Sequence, residues 1–151
     1  MARGRMGTVD KGRFLTCPIE ISDLVDGIVR ALKTPEISGK TYNLTGDERI
    51  SWRTVCDTLS KEADVPRVAT DAPGWLAFAL GASMEGLFKV FHARNAPPLT
   101  RYRIHQLRND YRFSSNLARQ ELGWAPKHDF ARDAALMVED WKKNRKISNS
   151  K

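Results

Sequence analysis

The segment Ser114–Pro126, SSNLARQELGWAP, constrains the fold more than any other stretch of the 151-residue chain. Ser114 or Ser115 can accept from the free amides at a helix start, Gly123 can take the left-handed turn that closes a helix, and Pro126 forbids continuation. What remains, Leu117 to Leu122, is about two turns, far below the roughly 12 to 15 residues at which isolated helices become even marginal in water. So short a helix exists only when docked, and Leu117, Leu122 and Trp124 are the residues to dock it. The rest of the chain must supply the surface that receives this corner.

Local signals predict that surface. PIEI at 18–21 reads as a short strand, followed by a helix from about Ser22 to Lys33, capped by Ser22, with Leu24, Val25, Ile28 and Leu32 on one apolar face. Lys40 to Leu44, bounded by Gly39 and Gly46, reads as a strand. Strand, helix, strand is an α/β signature. Ser51 caps a second helix with Trp52, Val55, Cys56, Leu59 and Ala63 at helical spacing, ended by Val65-Pro66, and a loop follows to about Pro73. Residues 74–93 are apolar nearly all round with two internal glycines, which predicts one bent or two broken helices. RYRIHQL at 101–107 reads as helix, DYRFS at 110–114 as extended chain, and Phe130 to Asn144 as a last helix with Phe130, Ala134, Met137, Val138 and Trp141 on one stripe.

Composition narrows the setting. With 41% hydrophobic residues, one domain with its own core is the expectation. Cys17 and Cys56 stand far apart without a CxxC or a neighbouring histidine, which favours free thiols in a reducing compartment and predicts a cytoplasmic protein. His92, His105 and His128 have no metal-ligand spacing. The net charge of +7 is concentrated at the two ends, in residues 1–13 and 142–151, and the body between them is near neutral. No apolar run meets the roughly 20-residue criterion for a membrane span, and no signal peptide is visible.

Two phosphate or nucleophile motifs fail on inspection. SGKT at 38–41 ends like a phosphate-binding loop, but Thr34 stands where the first glycine is required and a strand follows instead of a helix. GASMEG at 81–86 misses a nucleophile elbow by one residue and lies inside a helical run. The stretch Arg94 to Phe113 is more suggestive, with five arginines, Asp110 as its single acid, and Tyr102, Tyr111 and Phe113 interleaved. Guanidinium forks suit phosphate oxygens and aromatics suit stacking, so the stretch is a solvated basic face, a site for a phosphate-bearing small molecule, or a nucleic-acid surface.

Three motifs, in this order and spacing, carry a family resemblance: IEISDLVDGI, GKTYNLTGDE and ARQELGWAP. They resemble, respectively, the strand-to-helix junction, the G-x-x-[YF]-N-[LIV]-x-G strand and the A-[RK]-x-x-L-G-[WYF]-x-P signature of the extended short-chain dehydrogenase/reductases. This is the NAD-dependent epimerase/dehydratase group, which includes relatives of 3β-hydroxysteroid dehydrogenase. The resemblance implies a partial Rossmann-type α/β fold: the mostly helical C-terminal substrate domain over 14–144 with a few short strands, a remnant of connecting segment at 1–13, and a disordered basic tail at 145–151. It also implies that Met1 begins partway through a longer protein, whose dinucleotide-binding half is absent here.

The family's chemistry needs GxxGxxG to admit a pyrophosphate, and a Tyr-Lys pair in YxxxK to exchange a proton while hydride moves. No glycines here have that spacing, and Gly46, Gln106 and Ser115 stand four residues after Tyr42, Tyr102 and Tyr111. The expectation is therefore a substrate-binding half of an NAD(P)-dependent epimerase/dehydratase or dehydrogenase, acting on a sugar-nucleotide or other hydroxyl or keto substrate, and not catalytic alone. No cofactor is expected to bind this chain by itself; NAD or NADP belongs to the complete enzyme. Sugar-nucleotide members carry an Arg two residues before the junction strand and an aromatic or His within it, where this chain has Thr16 and Glu20. Arg13, Arg94, Thr100, Arg101 and Arg103 are the candidate substrate-binding residues in their place, with no metal ligands. A homodimer, or a partner chain supplying the dinucleotide-binding half, is expected to cover the apolar surface left by such a division. The rival reading is a basic binding module for nucleic acid or an anionic membrane surface.

Overall fold

The structure is a computed structural model that describes residues 7–91 and 97–149, with side chains described to 144. Among these residues, six α-helices and four very short strands follow the order β1 (Gly7–Val9), β2 (Leu15–Thr16), α1 (Ile21–Lys33), β3 (Ile50–Ser51), α2 (Trp52–Ala63), β4 (Thr70–Ala72), α3 (Gly74–Val90), α4 (Arg101–Leu107), α5 (Asn116–Leu122) and α6 (Phe130–Asn149), with a single 3-10 turn at Asp10–Gly12. The mostly helical α/β character expected from the sequence is present.

The corner at 114–126 is built as its punctuation dictates. Gly123 closes α5 with φ 58°, Ala118 and Leu122 are buried, and Trp124 is 1% exposed. The indole Nε1–H donates to the Asp23 carbonyl at 2.8 Å, so the corner is docked on the start of α1. Ile19, Ala31, Ile37, Tyr42 and Leu44 complete this cluster. Leu117, expected to dock the helix, is instead 41% exposed, because α5 turns Ala118 and Leu122 inward.

Several sequence expectations are corrected. α1 is capped by Glu20 in place of Ser22: the Glu20 carboxylate accepts from the Ser22 and Asp23 amides at 2.5 and 3.3 Å. Residues 18–20 form no ladder, and the antiparallel pair lies earlier, Leu15 opposite Ser51 and Thr16 opposite Ile50. Pro18 lacks the amide that a continued ladder would need. Lys40 to Leu44 also forms no ladder among the described residues, yet Tyr42 and Leu44 still pack on the Trp124 cluster. Packing holds the segment in place without pairing.

A second small core joins β1, β4, α3 and α4. β1 and β4 pair in parallel, Gly7 with Thr70 through Val9 with Ala72, where a connecting remnant and a loop were expected. Val9, Ala77 and Ile104 are buried together, with Ala72, Leu99 and Leu107 around them. α3 is one unbroken helix because Gly81 faces inward, where a Cβ would meet the Thr100–Arg101 backbone at 3.1 to 3.2 Å. α6 packs along α2, burying Ala134 and Val138 while Met137 is exposed, and it runs to Asn149, five residues into the tail expected to be disordered.

Candidate functional site

The five expected substrate residues do not converge on one point. Arg13 is exposed, with its guanidinium 4.9 Å from the centre of the Phe14 ring. Thr100 caps α4, its hydroxyl accepting from the Arg103 amide at 3.2 Å. Arg101 is held by Glu85 of α3, which accepts from both its amide and its Nε at 2.7 Å. Arg103 donates to the Pro98 carbonyl at 2.8 Å. Arg94 lies outside the described residues, as does His92.

Several arginines of the basic stretch have acidic partners. Besides Arg101, Arg108 donates to Asp10 at 2.8 Å, and Arg112 stands 3.9 Å from Asp110. Opposite charge on the surface discharges much of the field that a polyanion would need. Arg103 forms no ion pair among the described residues.

Asp10 ties this end of the molecule together. α3 begins after Pro73 without a side-chain cap of its own, and Asp10 supplies one from 64 residues away, accepting from the Gly74 amide at 2.7 Å. A Cβ at Gly74 would stand 2.1 Å from the Arg108 Nε and 2.4 Å from the Asp10 Oδ2, so a larger residue there would displace the Asp10–Arg108 pair. The Gly74 amide, and then the Arg108 guanidinium, hold the Asp10 carboxyl below its ordinary pKa.

A cleft of about 750 Å³ opens between the start of α1, residues 46–48 and α6. Ile21, Phe130, Leu136 and Met137 form its apolar wall, and Glu20, Asp23, Asp133 and His128 its polar one. Burial would push the Asp23 carboxyl up, but the Lys127 and His128 amides, at 2.8 and 3.1 Å, and the His128 ring overcome this and leave its pKa lowered. The His128 Nδ1 stands 3.0 Å from Asp23 Oδ1, within ion-pair distance but off the line of a directed hydrogen bond. Burial pushes the Asp133 carboxyl up, with Glu20, Asp129 and Asp23 adding to the effect and His128 opposing it, and its Oδ1 is buried without a partner. Sequence reading missed this cleft, although Asp23 and His128 lie in or beside two of the family motifs; their meeting across 105 residues has no local sign.

A smaller polar cleft of about 320 Å³ includes Cys17, Thr45, Arg49, Ser115 and Arg119 in its lining. Its Arg119 is neutralised by both oxygens of Asp47, at 2.5 and 2.6 Å. No group of three or more His, Cys, Asp or Glu among the described residues could hold a metal ion. No helix among them is long and apolar enough to cross a membrane. Tyr42 is set against proton exchange: its hydroxyl donates to Glu121 at 2.6 Å, and that carboxylate pushes the phenol up to about 12.

The remaining feature is the outer face of α3. Ala77 and Gly81 face inward, while Trp75, Leu80, Leu87 and Phe91 stand 71, 50, 56 and 75% exposed. Glu85 and Lys89 are the helix's two charged residues. A helix apolar all round is ordinarily buried on more than one side, and among the described residues this face is left exposed.

No protein-family model matches the chain. It is 27% identical over 133 residues to a 2-alkyl-3-oxoalkanoate reductase of Shewanella oneidensis, covering 83% of this chain and 34% of that protein. It is 30% identical over 90 residues to the protein of the same name from Stenotrophomonas maltophilia, covering 60% of this chain and 27% of that one. The chain thus spans about a third or less of the curated relatives it matches. The solved structure of gox2253 superposes with a TM-score of 0.61 at 26% identity, over 92% of this chain and 39% of that one. The structure of RMD from Pseudomonas aeruginosa complexed with NADPH superposes at 0.58 and 14% identity, over 92% of this chain and 36% of that one, which is a likeness of fold.

Proposed function

We propose that the chain is the substrate-side part of an NAD(P)-dependent reductase of the extended short-chain type, acting on a 3-oxo acid with an alkyl branch. The observation that carries this reading is the similarity to the Shewanella 2-alkyl-3-oxoalkanoate reductase over 83% of the chain. The three motifs IEISDLVDGI, GKTYNLTGDE and ARQELGWAP support the same family. Absence of GxxGxxG and YxxxK from this chain means that the dinucleotide, the hydride transfer and the proton transfer belong to another part of the working enzyme. This chain's share is to bind and orient the substrate.

Two surfaces fit such a division. α1 exposes Ile21, Val25, Ile28 and Leu32 at one helical spacing, and packs on its own chain through Asp23 and Gly27 instead. That inverts the face expected to be core, and supplies the apolar surface on which the dinucleotide-binding part docks. The outer face of α3 is the second.

The test is calorimetric titration of the purified chain with a 2-alkyl-3-oxoalkanoate and, separately, with NADPH. Saturable binding of the oxo acid without binding of NADPH is expected. Micromolar binding of NADPH by the chain alone, or no binding of the oxo acid, overturns the reading.

A further inference from the structure

The cleft between α1, residues 46–48 and α6 has a polarity opposite to that of the chain. Its lining holds six carboxylates, Glu20, Asp23, Asp47, Glu48, Asp133 and Asp140, and no Lys or Arg, in a protein of net charge +7. Five of the six have partners within the chain. Glu20 caps α1, Asp23 accepts from the Lys127 and His128 amides, and Asp47 holds Arg119. Glu48 accepts from the Phe130 amide and Asp140 from the Asn144 side chain, each at 3.0 Å. Asp133 is the exception: its carboxylate has no hydrogen bond or ion pair among the described residues, and its Oδ1 is buried.

A buried acceptor without a donor is costly. Burial first, and then the Glu20, Asp129 and Asp23 carboxylates, disfavour the charged form of Asp133. A positively charged donor in the cleft removes both penalties at once. That donor is not a metal ion, which needs several converging oxygens; no group of three or more His, Cys, Asp or Glu among the described residues could supply them. The opposite wall also asks for more than a bare charge. Ile21, Leu136 and Met137 line it while standing 66, 55 and 55% exposed, beside Phe130. The volume, about 750 Å³, is that of a small-molecule site.

We infer that this cleft binds a small organic amine in its protonated form, the ammonium donating to Asp133 and an apolar body lying against Ile21, Leu136 and Met137. The head must carry N–H groups, because Asp133 lacks a hydrogen-bond donor as well as a counter-charge, and a quaternary ammonium supplies only the second. The same carboxylates repel an anionic oxo acid, so this ligand is not the substrate of the reductase reading and the inference stands apart from it.

The experiment is NMR titration of the isotope-labelled chain with 4-phenylbutylamine at neutral pH, where the amine is protonated. Saturable shifts are expected at the Ile21, Leu136 and Met137 methyls. 4-Phenylbutanol and 4-phenylbutanoate should bind at least about tenfold more weakly, for want of the charge, and 4-phenylbutyl-trimethylammonium should fall between them and the amine. Asp133→Ala should weaken the amine about tenfold and bring it level with its trimethylammonium analogue. Glu139→Gln removes the same charge from an exposed site on α6 outside the cleft, and should change nothing. If Asp133→Ala loses helix by circular dichroism, the order of the four ligands on the wild-type chain decides.

Equal binding of amine and alcohol overturns the inference, as does a folded Asp133→Ala chain that binds the amine as the wild type does. So does a loss in Glu139→Gln as large as that in Asp133→Ala, which marks diffuse attraction to an acidic surface. Displacement of the amine by millimolar Mg²⁺ would make the cleft a metal site, and an absence of saturable shifts at those methyls removes the site altogether.

Discussion

Trp124 and Asp10 each join parts of the chain that the sequence sets far apart. Trp124 fills the junction of α1, α5 and the 37–44 segment, and its indole spans to α1. Trp124→Ala should cost about 3 to 5 kcal/mol, a large fraction of the stability of an ordinary domain, read by urea unfolding. Asp10 gives α3 its cap and anchors Arg108. Asp10→Ala should cost about 1 to 3 kcal/mol through the lost charged hydrogen bonds, and should fray α3 specifically, seen as faster amide exchange in its first turn. Both corner residues, Gly123 and Trp124, were legible from local punctuation. Asp10 was not, because a cap reaching back 64 residues leaves no pattern at the helix it serves.

At the scale of elements, capping and helical periodicity located five helices within a few residues, since those signals act within one turn. They could not say which face of α1 is buried, because a partner surface decides that. The β1–β4 ladder was invisible for a related reason: parallel strands pair across a long crossover and carry no turn signature. The corner after α5 is tied to α1 through Asp23, whose folded-state pKa is lowered. A depressed carboxylate contributes its full stabilisation above the ordinary Asp pKa of about 3.9, and loses it as pH falls through the lower folded value. Thermal midpoints should therefore drop steeply below about pH 4, and Asp23→Asn, already lacking that contribution at neutral pH, should show a shallower drop. Asp133 has the opposite sign. Its raised pKa makes ionisation a cost that grows as pH rises above the ordinary value, so Asp133→Asn should raise the midpoint at neutral pH and lose the advantage in acid.

Among the described residues the molecule has two small core clusters, and the apolar faces of α1 and α3 are exposed. Such a body gains less from burial than its length allows, which argues for low stability and self-association of the isolated chain; a sharply melting monomer would contradict that. The likeness to reductases was legible in the motifs. The expected residues form no single site, because Thr100 caps α4, Arg101 is held by Glu85 and Arg103 donates to the Pro98 carbonyl, and the exposure of the apolar α3 face is visible only once the chain is packed. The most direct measurement is turnover by a chimaera in which this chain replaces the matched stretch of the Shewanella oneidensis reductase. The account predicts NADPH-dependent reduction of a 2-alkyl-3-oxoalkanoate. A folded chimaera that binds NADPH and leaves the oxo acid unreduced would contradict it.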